Sequence, residues 1–372
     1  MQKVWVKCNT TLTVTYQNSM KFIDKWLRKD IQDMQAYHVP SSIDMIKLDA
    51  MESPFLVSQE LIPQYLECLS KASLNRYPDS NAEEVKQTLR SLMDIPNEFG
   101  ILLGNGSDEL LQLISLACET GDTVLGFEPS FVMYEIIAKF TRLNYHSVLL
   151  GENYQINLNT TIDEINRVKP KIIFISYPNN PTGNAFDRES ILRIIKESDS
   201  LVVIDEAYYA YCKDSFLDEV INYPNMVLLR TVSKIGFAGL RLGLLIANKD
   251  IVRELDKLRL PYNINTLTQA SANFLLKEKN HIVENARIII NERERLLEEL
   301  TKISNITVYP SQANFLLIKV DDAASLFASL KESRILVKSF AKNPQLKNCI
   351  RVTVGNPEEN TQLLEHLKSY YG

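Results

Sequence analysis

Glycine is scarce in this chain, 12 of 372 residues, about half of the roughly 7% that is usual. So sparing a use excludes a collagen-like or low-complexity chain, and it implies that glycine is kept for places that tolerate no side chain. Cysteine is also rare: Cys8, Cys68, Cys118, Cys212 and Cys349 are widely scattered and show no CxxC spacing. An odd, dispersed set supports neither a disulfide framework nor a zinc site, and it fits a reducing cytoplasm. The four histidines, His38, His146, His281 and His366, are far apart, so no histidine-based metal centre or triad is expected. No apolar run approaches the ~18 residues of a membrane span. The N-terminus lacks the apolar block and small-residue cleavage site of a signal peptide. Basic residues do not predominate either. Lys+Arg 41 against Asp+Glu 46 leaves a net charge of −5, and no basic face for nucleic acid is expected.

What is present is an apolar content of 45% over a length that suggests two or so domains. Between about residues 73 and 270, short runs dense in Val, Ile, Leu and Phe (123–127, 171–176, 201–204, 226–229 and 243–247) alternate with helix-like stretches such as 108–119 and 188–197. Runs that are apolar on both faces suit strands of a covered sheet, and the alternation predicts a mostly parallel α/β sheet. A charged amphipathic stretch, roughly 269–300, predicts one or two helices. Beyond it, strand-like runs at 306–309, 314–320, 335–337 and 350–354 with two helical patterns predict a smaller α+β domain. The expected division is an N-terminal arm (1–42), a large domain (73–270), and a small domain assembled from 43–72 and 271–372. Ligands of open α/β sheets bind at the carboxyl ends of the strands, so chemistry is expected in the loops after the central runs.

Four such loops stand out. LGNGSDE (103–109) joins an apolar run to an amphipathic helix. Gly104 and Gly106 permit close backbone approach, Ser107 or Asp108 can cap the helix, and the N–H groups there can bind an anion. An ordinary glycine turn accounts for the same residues, and Glu109 stands where a dinucleotide fingerprint needs its third glycine. SYPNNPTG (176–183) makes a rigid turn that presents amide side chains at a strand end. In VVIDEAY (202–208), Asp205 closes an apolar strand and Tyr208 follows three residues later. Such a carboxylate suits a metal, a base or a cationic ring, or is simply solvated. RTVSKIGFAGLRLG (230–243) carries three of the twelve glycines with Thr231, Ser233, Lys234 and Arg241. A lysine there is either solvated or, among small residues and downstream of an asparagine and an acid, a Schiff-base lysine.

The order Asn180, Asp205, Lys234, with gaps of 25 and 29, resembles the fold-type I pyridoxal-phosphate aminotransferases. The segments LNRYPDS (74–80), EPSFVMYEI (128–136), LPYNINTLTQ (260–269) and IRVTVGNPEEN (350–360) narrow the resemblance to the histidinol-phosphate aminotransferase family, from about Tyr37 to the C-terminus. It implies an α/β fold with a mostly parallel, seven-stranded central sheet and a smaller α+β domain, and pyridoxal 5'-phosphate as cofactor. By resemblance, Lys234 forms the Schiff base with the cofactor aldehyde and then shuttles a proton. Asp205 pairs with the pyridine nitrogen, Asn180 and Tyr208 hydrogen-bond the ring hydroxyl, and Phe131 stacks on the ring face. The phosphate sits on the backbone of Gly106, Ser107 and Asp108, with Thr231, Ser233 and Arg241 contributing side chains. Tyr77 reaches it from the other subunit of a homodimer. Arg351 serves a glutamate carboxylate and a substrate phosphate in turn, because its fork binds both. Tyr37 and Asn180 complete the substrate pocket.

Two departures from the family pattern stand out. Lys338 occupies the place of an expected arginine, which keeps the charge and loses the fork. Lys234 and Arg241 are seven residues apart, one fewer than in many fold-type I enzymes. The implied reaction is transamination between L-histidinol phosphate and 2-oxoglutarate, in histidine biosynthesis, with no nucleic-acid or membrane partner. Lys338 raises the alternative of an aromatic or other amino-acid aminotransferase, or a phosphothreonine decarboxylase-like enzyme, on the same scaffold. A catalytically silent binding protein fits poorly, because the lysine is present and no added DNA-binding segment is evident.

Overall fold

Both faces of the central strands are apolar because both faces are covered. Ile173, Ile175, Val202 and Ile204 pack into one core cluster, while Ile172, Phe174, Val203 and Val227 pack into another. Each such fully buried side chain contributes about 1.5–3 kcal/mol, so a sheet flanked on both sides has no polar face to spare. The computed structural model describes residues 22–36, 40–341 and 343–372. By contacts the chain separates into residues 1–41 and residues 42–372. In the first unit a helical turn, Lys29–Gln32, buries no residue.

In the second unit, β1 (Ile46–Lys47) stands apart from the central sheet. That sheet is built from β2 (Phe99–Asn105), β3 (Thr123–Glu128), β4 (Asn144–Leu149), β5 (Ile172–Ser176), β6 (Leu201–Asp205), β7 (Met226–Thr231) and β8 (Leu242–Asn248). The strand order is β2-β8-β7-β6-β5-β3-β4. All pairs are parallel except those of β8, which runs antiparallel to both β2 and β7. The five apolar runs are five of these strands. β4 was not legible as a strand because it is an edge strand whose residues are mostly half-buried or exposed. Helices Ser107–Leu116 and Arg188–Glu197 occupy the two helix-like stretches.

The amphipathic stretch after the sheet is two helices, Thr266–Leu275 and Lys279–Thr301. A second, antiparallel sheet follows, from β9 (Thr307–Tyr309), β10 (Phe315–Lys319), β12 (Lys338–Ser339) and β13 (Cys349–Thr353), in the order β12-β13-β10-β9. The intervening β11 (Ile335–Leu336) pairs parallel with β1. This carries residues 46 and 47 onto the C-terminal part of the chain. The last helix, Pro357–Tyr371, starts with a capping box: Asn356 accepts from the Glu359 backbone, and Glu359 accepts from the Asn356 backbone. No described helix is long and apolar enough to cross a membrane.

Candidate active site

The register of the central sheet gathers the polar residues that end its strands. Ser176, the last residue of β5, stands opposite Asp205, the last of β6. Thr231 ends β7 and stands opposite Gly243 of β8, which also pairs with Gly104 of β2. Around this end lies a cavity of about 540 Å³, lined by Ser107, Asp108, Phe131, Asn180, Asp205, Tyr208, Thr231, Ser233, Lys234 and Arg241. Ten residues singled out in the sequence thus meet at one place. Met51, Ser176 and Ala207 complete the lining.

Two glycines shape the turn between β2 and the helix Ser107–Leu116. Gly106 has φ +85°, in the region that disfavours side chains, and a Cβ there would lie 2.6 Å from Nη2 of Arg241. A Cβ on Gly243 would lie 2.5 Å from the backbone nitrogen of Ser107. The helix start is therefore seated directly on β8, with the Arg241 guanidinium beside it. Gly106 is the N-cap and no side chain caps this helix; Ser107 and Asp108 are its first residues rather than its cap. N–H groups left open at a helix start, next to an arginine and the Thr231 and Ser233 hydroxyls, make an anion cradle. Those hydroxyls are themselves ordered: their oxygens lie 2.9 Å apart, and Thr231 Oγ1 accepts from the Ser233 backbone.

Lys234 sits in the short turn between β7 and β8. Its backbone carbonyl accepts from the Tyr211 hydroxyl at 2.6 Å, and its Nζ donates to the Ala50 carbonyl at 3.0 Å. Burial, followed by the nearby Arg351 charge, pulls the amine down to about 8. Asp205 is 3% exposed. Its Oδ2 accepts from the Tyr134 hydroxyl at 2.9 Å and its Oδ1 from the Ala207 backbone at 3.2 Å. Burial pushes this carboxyl up to about 6, against the hydrogen bonds from Tyr134 and Ala207. Burial also raises Asp108, while Arg241 draws it back. Tyr208 is buried, edge-on to Phe315 with ring centroids 5.2 Å apart, and the Lys234 amine is 6.0 Å from its ring centre.

Arg351 and Lys338 belong to the second sheet and are not among the residues that line this cavity. Arg351 on β13 is buried; Nη1 donates to Oδ1 of Asn180 at 2.5 Å and Nη2 to the Asp49 carbonyl at 2.8 Å. Lys338 of β12 is its direct partner in the antiparallel ladder, so the two side chains rise from the same face of the sheet. Residues 48–51 are pinned here too: the Met51 N–H donates to Thr353 Oγ1, and Asn314 donates to the Met51 carbonyl. This segment was not anticipated from the sequence. Its only marks are backbone ones, chiefly the positive φ of Met51, and no residue pattern announces them.

One expected residue stands elsewhere. Tyr77 is 80% exposed and does not line the cavity of its own chain; its ring stacks on Tyr262 at 4.4 Å. Tyr37 lies outside the described residues.

Comparison with known proteins identifies the family. Residues 43–367 match the family model for aminotransferases of class I and II. A histidinol-phosphate aminotransferase of Vesicomyosocius okutanii subsp. Calyptogena okutanii is 58% identical over 95% of this chain and 99% of its own length. The crystal structure of the histidinol-phosphate aminotransferase from Clostridium acetobutylicum superimposes with a TM-score of 0.80 at 28% identity, covering 88% of this chain and 99% of that one. That of the Sinorhizobium meliloti enzyme, in complex with pyridoxal-5'-phosphate, gives a TM-score of 0.81 at 21% identity over 93% and 98%, a likeness of fold. The chain belongs to the class I and II aminotransferases, in the branch that holds the histidinol-phosphate aminotransferases.

Proposed function

We propose that this chain is a pyridoxal-phosphate-dependent transaminase that exchanges an amino group between L-histidinol phosphate and 2-oxoglutarate. The observation that carries the reading is one cavity bringing together a buried lysine, a buried acid and an arginine-backed helix start. These residues fit the cofactor on their own chemistry. The close packing at Gly106 and Gly243 sets the Ser107 backbone and the Arg241 guanidinium side by side, and Asp108, Thr231 and Ser233 line the same cavity, a fit for phosphate oxygens. Asp205, at the far side, suits a protonated ring nitrogen, and Asn180 and Tyr208 suit the ring oxygen. Phe131 offers the stacking face. When bound, the cofactor supplies an electron-withdrawing ring that stabilises the charge left as the substrate α-proton departs.

The protein's own part follows from its groups. Lys234 is neutral above about pH 8, and a neutral amine is both nucleophile and base. Its Nζ takes the substrate α-proton, and the Ala50 carbonyl keeps that nitrogen in place. Asp205 holds the ring proton. Arg351 and Lys338, side by side on the second sheet, bind the anionic end of either substrate, carboxylate or phosphate. Tyr37 belongs to the substrate pocket in this reading. The arm 1–42, the large domain 73–270 and the small domain of 43–72 plus 271–372 divide the work: the large domain holds the cofactor and the small one the substrate anion. Tyr77, exposed in its own chain, serves the phosphate of a second copy, which makes the enzyme a homodimer of the cytoplasm.

A yellow holoprotein whose Lys234 is trapped by borohydride, and which converts histidinol phosphate to its keto product, supports the reading. A protein that stays colourless with added cofactor overturns it. Lys338 in place of arginine favours a second substrate assignment, phosphothreonine or an aromatic amino acid. Half-reactions with the three substrates side by side separate these.

A further inference from the structure

We propose that Tyr134 is a positioning residue for Asp205: its hydroxyl holds one carboxylate oxygen so that the other is presented to a cationic ring nitrogen. The inference rests on the aminotransferase reading above and adds a residue to it. Tyr134 lies at the start of the helix Met133–Phe140 and has no exposed surface. A buried hydroxyl needs a partner, and this one donates to Oδ2 of Asp205 at 2.9 Å, with the Ser176 side chain also within hydrogen-bonding reach.

The tyrosine cannot drift with the carboxylate, because its ring is gripped from two sides. Phe174 of β5 stacks on it, centroids 4.9 Å apart and planes 15° from parallel. Phe131 meets it edge-on at 5.5 Å and 88°. Asp205 is fixed in turn at its backbone by the ladder positions opposite Ser176 and Leu229. What remains free is the rotation of the carboxyl group, and the Tyr134 hydroxyl selects its orientation. The second oxygen takes only the longer bond from the Ala207 backbone among the described residues, and a carboxylate oxygen has capacity for a further donor.

The bond also bears on charge. Burial favours the protonated carboxyl, whereas a donating hydroxyl favours the carboxylate that a protonated ring requires. Because Phe131 lines the cavity and touches Tyr134, the stacking face and the holder of the acid are one packed unit. Nothing in sequence spacing links the two: Tyr134 reads as an apolar helix residue, and Asp205 lies 71 positions away.

Tyr134→Phe removes the donor and keeps both ring contacts. Titration of the apoprotein with pyridoxal phosphate, followed by absorbance of the bound chromophore, should show affinity lowered roughly tenfold or more, the usual scale for a bond to a charged group. kcat should fall while KM for both substrates stays close to wild type. In an Asp205→Asn background the same substitution should leave cofactor affinity nearly unchanged, since the two residues then no longer act as a unit. A packing loss moves affinity and melting temperature equally in both backgrounds, so this comparison holds even where Tyr134→Phe lowers stability. Unaltered affinity in the wild-type background, or the same loss in both, overturns the inference. Wild-type protein that takes up no pyridoxal phosphate overturns the function and the inference together. Wild-type uptake with an unaffected Tyr134→Phe overturns the inference alone.

Discussion

An amine attacks a carbonyl only in its unprotonated form, and burial brings that form of Lys234 closer to neutral pH. Desolvation and the Arg351 charge bring it to about 8 from an ordinary 10.5, so the reactive form is available more than two pH units earlier than on a surface lysine. The rate at which apoprotein takes up pyridoxal phosphate should rise through a midpoint near pH 8, followed by absorbance of the bound chromophore; a rise only above pH 10 would contradict it. The same displacement opposes folding at low pH. The unfolded chain binds the proton more tightly, so this group makes the apoprotein gain stability as pH rises from about 8 to 10.5. Lys338 makes a separate test. It stands beside Arg351 in the ladder but offers a point charge where a fork would bind two oxygens. Lys338→Ala should raise KM for histidinol phosphate about tenfold, with a smaller effect on 2-oxoglutarate, and Lys338→Arg should restore it. Steady-state kinetics with each substrate varied check both.

At the scale of elements, the strand-to-helix junctions do the positioning. The turn from β2 into Ser107–Leu116 closes over β8 because Gly243 has no side chain under the Ser107 nitrogen. Gly243→Ala therefore cannot be absorbed by a side-chain rotation, since the nearest atoms are backbone. It should cost about 1–3 kcal/mol by overpacking, read from urea unfolding, and should weaken cofactor phosphate binding at the same time. Gly239 behaves otherwise. No atom lies within 4 Å of a Cβ placed there, so its scarcity value in the sequence has no counterpart in crowding. The buried pair Arg230–Glu206 flanks the junctions of β6 and β7, with N–O distances of 2.9 and 3.0 Å and Ser215 bridging both partners. It fixes the neighbours of Asp205 and Thr231 without entering the cavity.

At the scale of the molecule, the strand ends of the parallel sheet line the cavity, and the antiparallel sheet reaches it through Arg351, which donates to Asn180 of the lining. The segment around residues 46–51 ties them, through β1 on β11 and the Asp49 and Ala50 carbonyls on Arg351 and Lys234. Tyr77 and Tyr262 are both exposed and mutually stacked, and the proposed dimer would put a second copy over Tyr77. Tyr77→Ala and Lys234→Ala chains, each weakly active or inactive alone, should regain part of the activity when mixed and allowed to exchange subunits. Only a site that draws residues from two copies complements in this way. Recovery measured against either parent alone decides it, and no recovery would mean that each chain is self-sufficient.

The strand-end residues were legible in the amino-acid order because their placement is local, while the roles expected of them came from the family resemblance. Asp205, Lys234, Asn180 and the 103–109 turn each follow an apolar run directly, and a strand end needs only its own neighbours to be recognised. Tyr134, residues 48–51 and the Lys338–Arg351 pairing were not, because each depends on contacts between segments far apart in the chain. The glycine scarcity shows the same boundary. It marked where the backbone turns, but it could not say that Gly243 makes room for Ser107 while Gly239 makes room for nothing. Spacing along a chain fixes which residues end an element, whereas distances across a sheet are set by register and packing, and those exist only once the chain is folded.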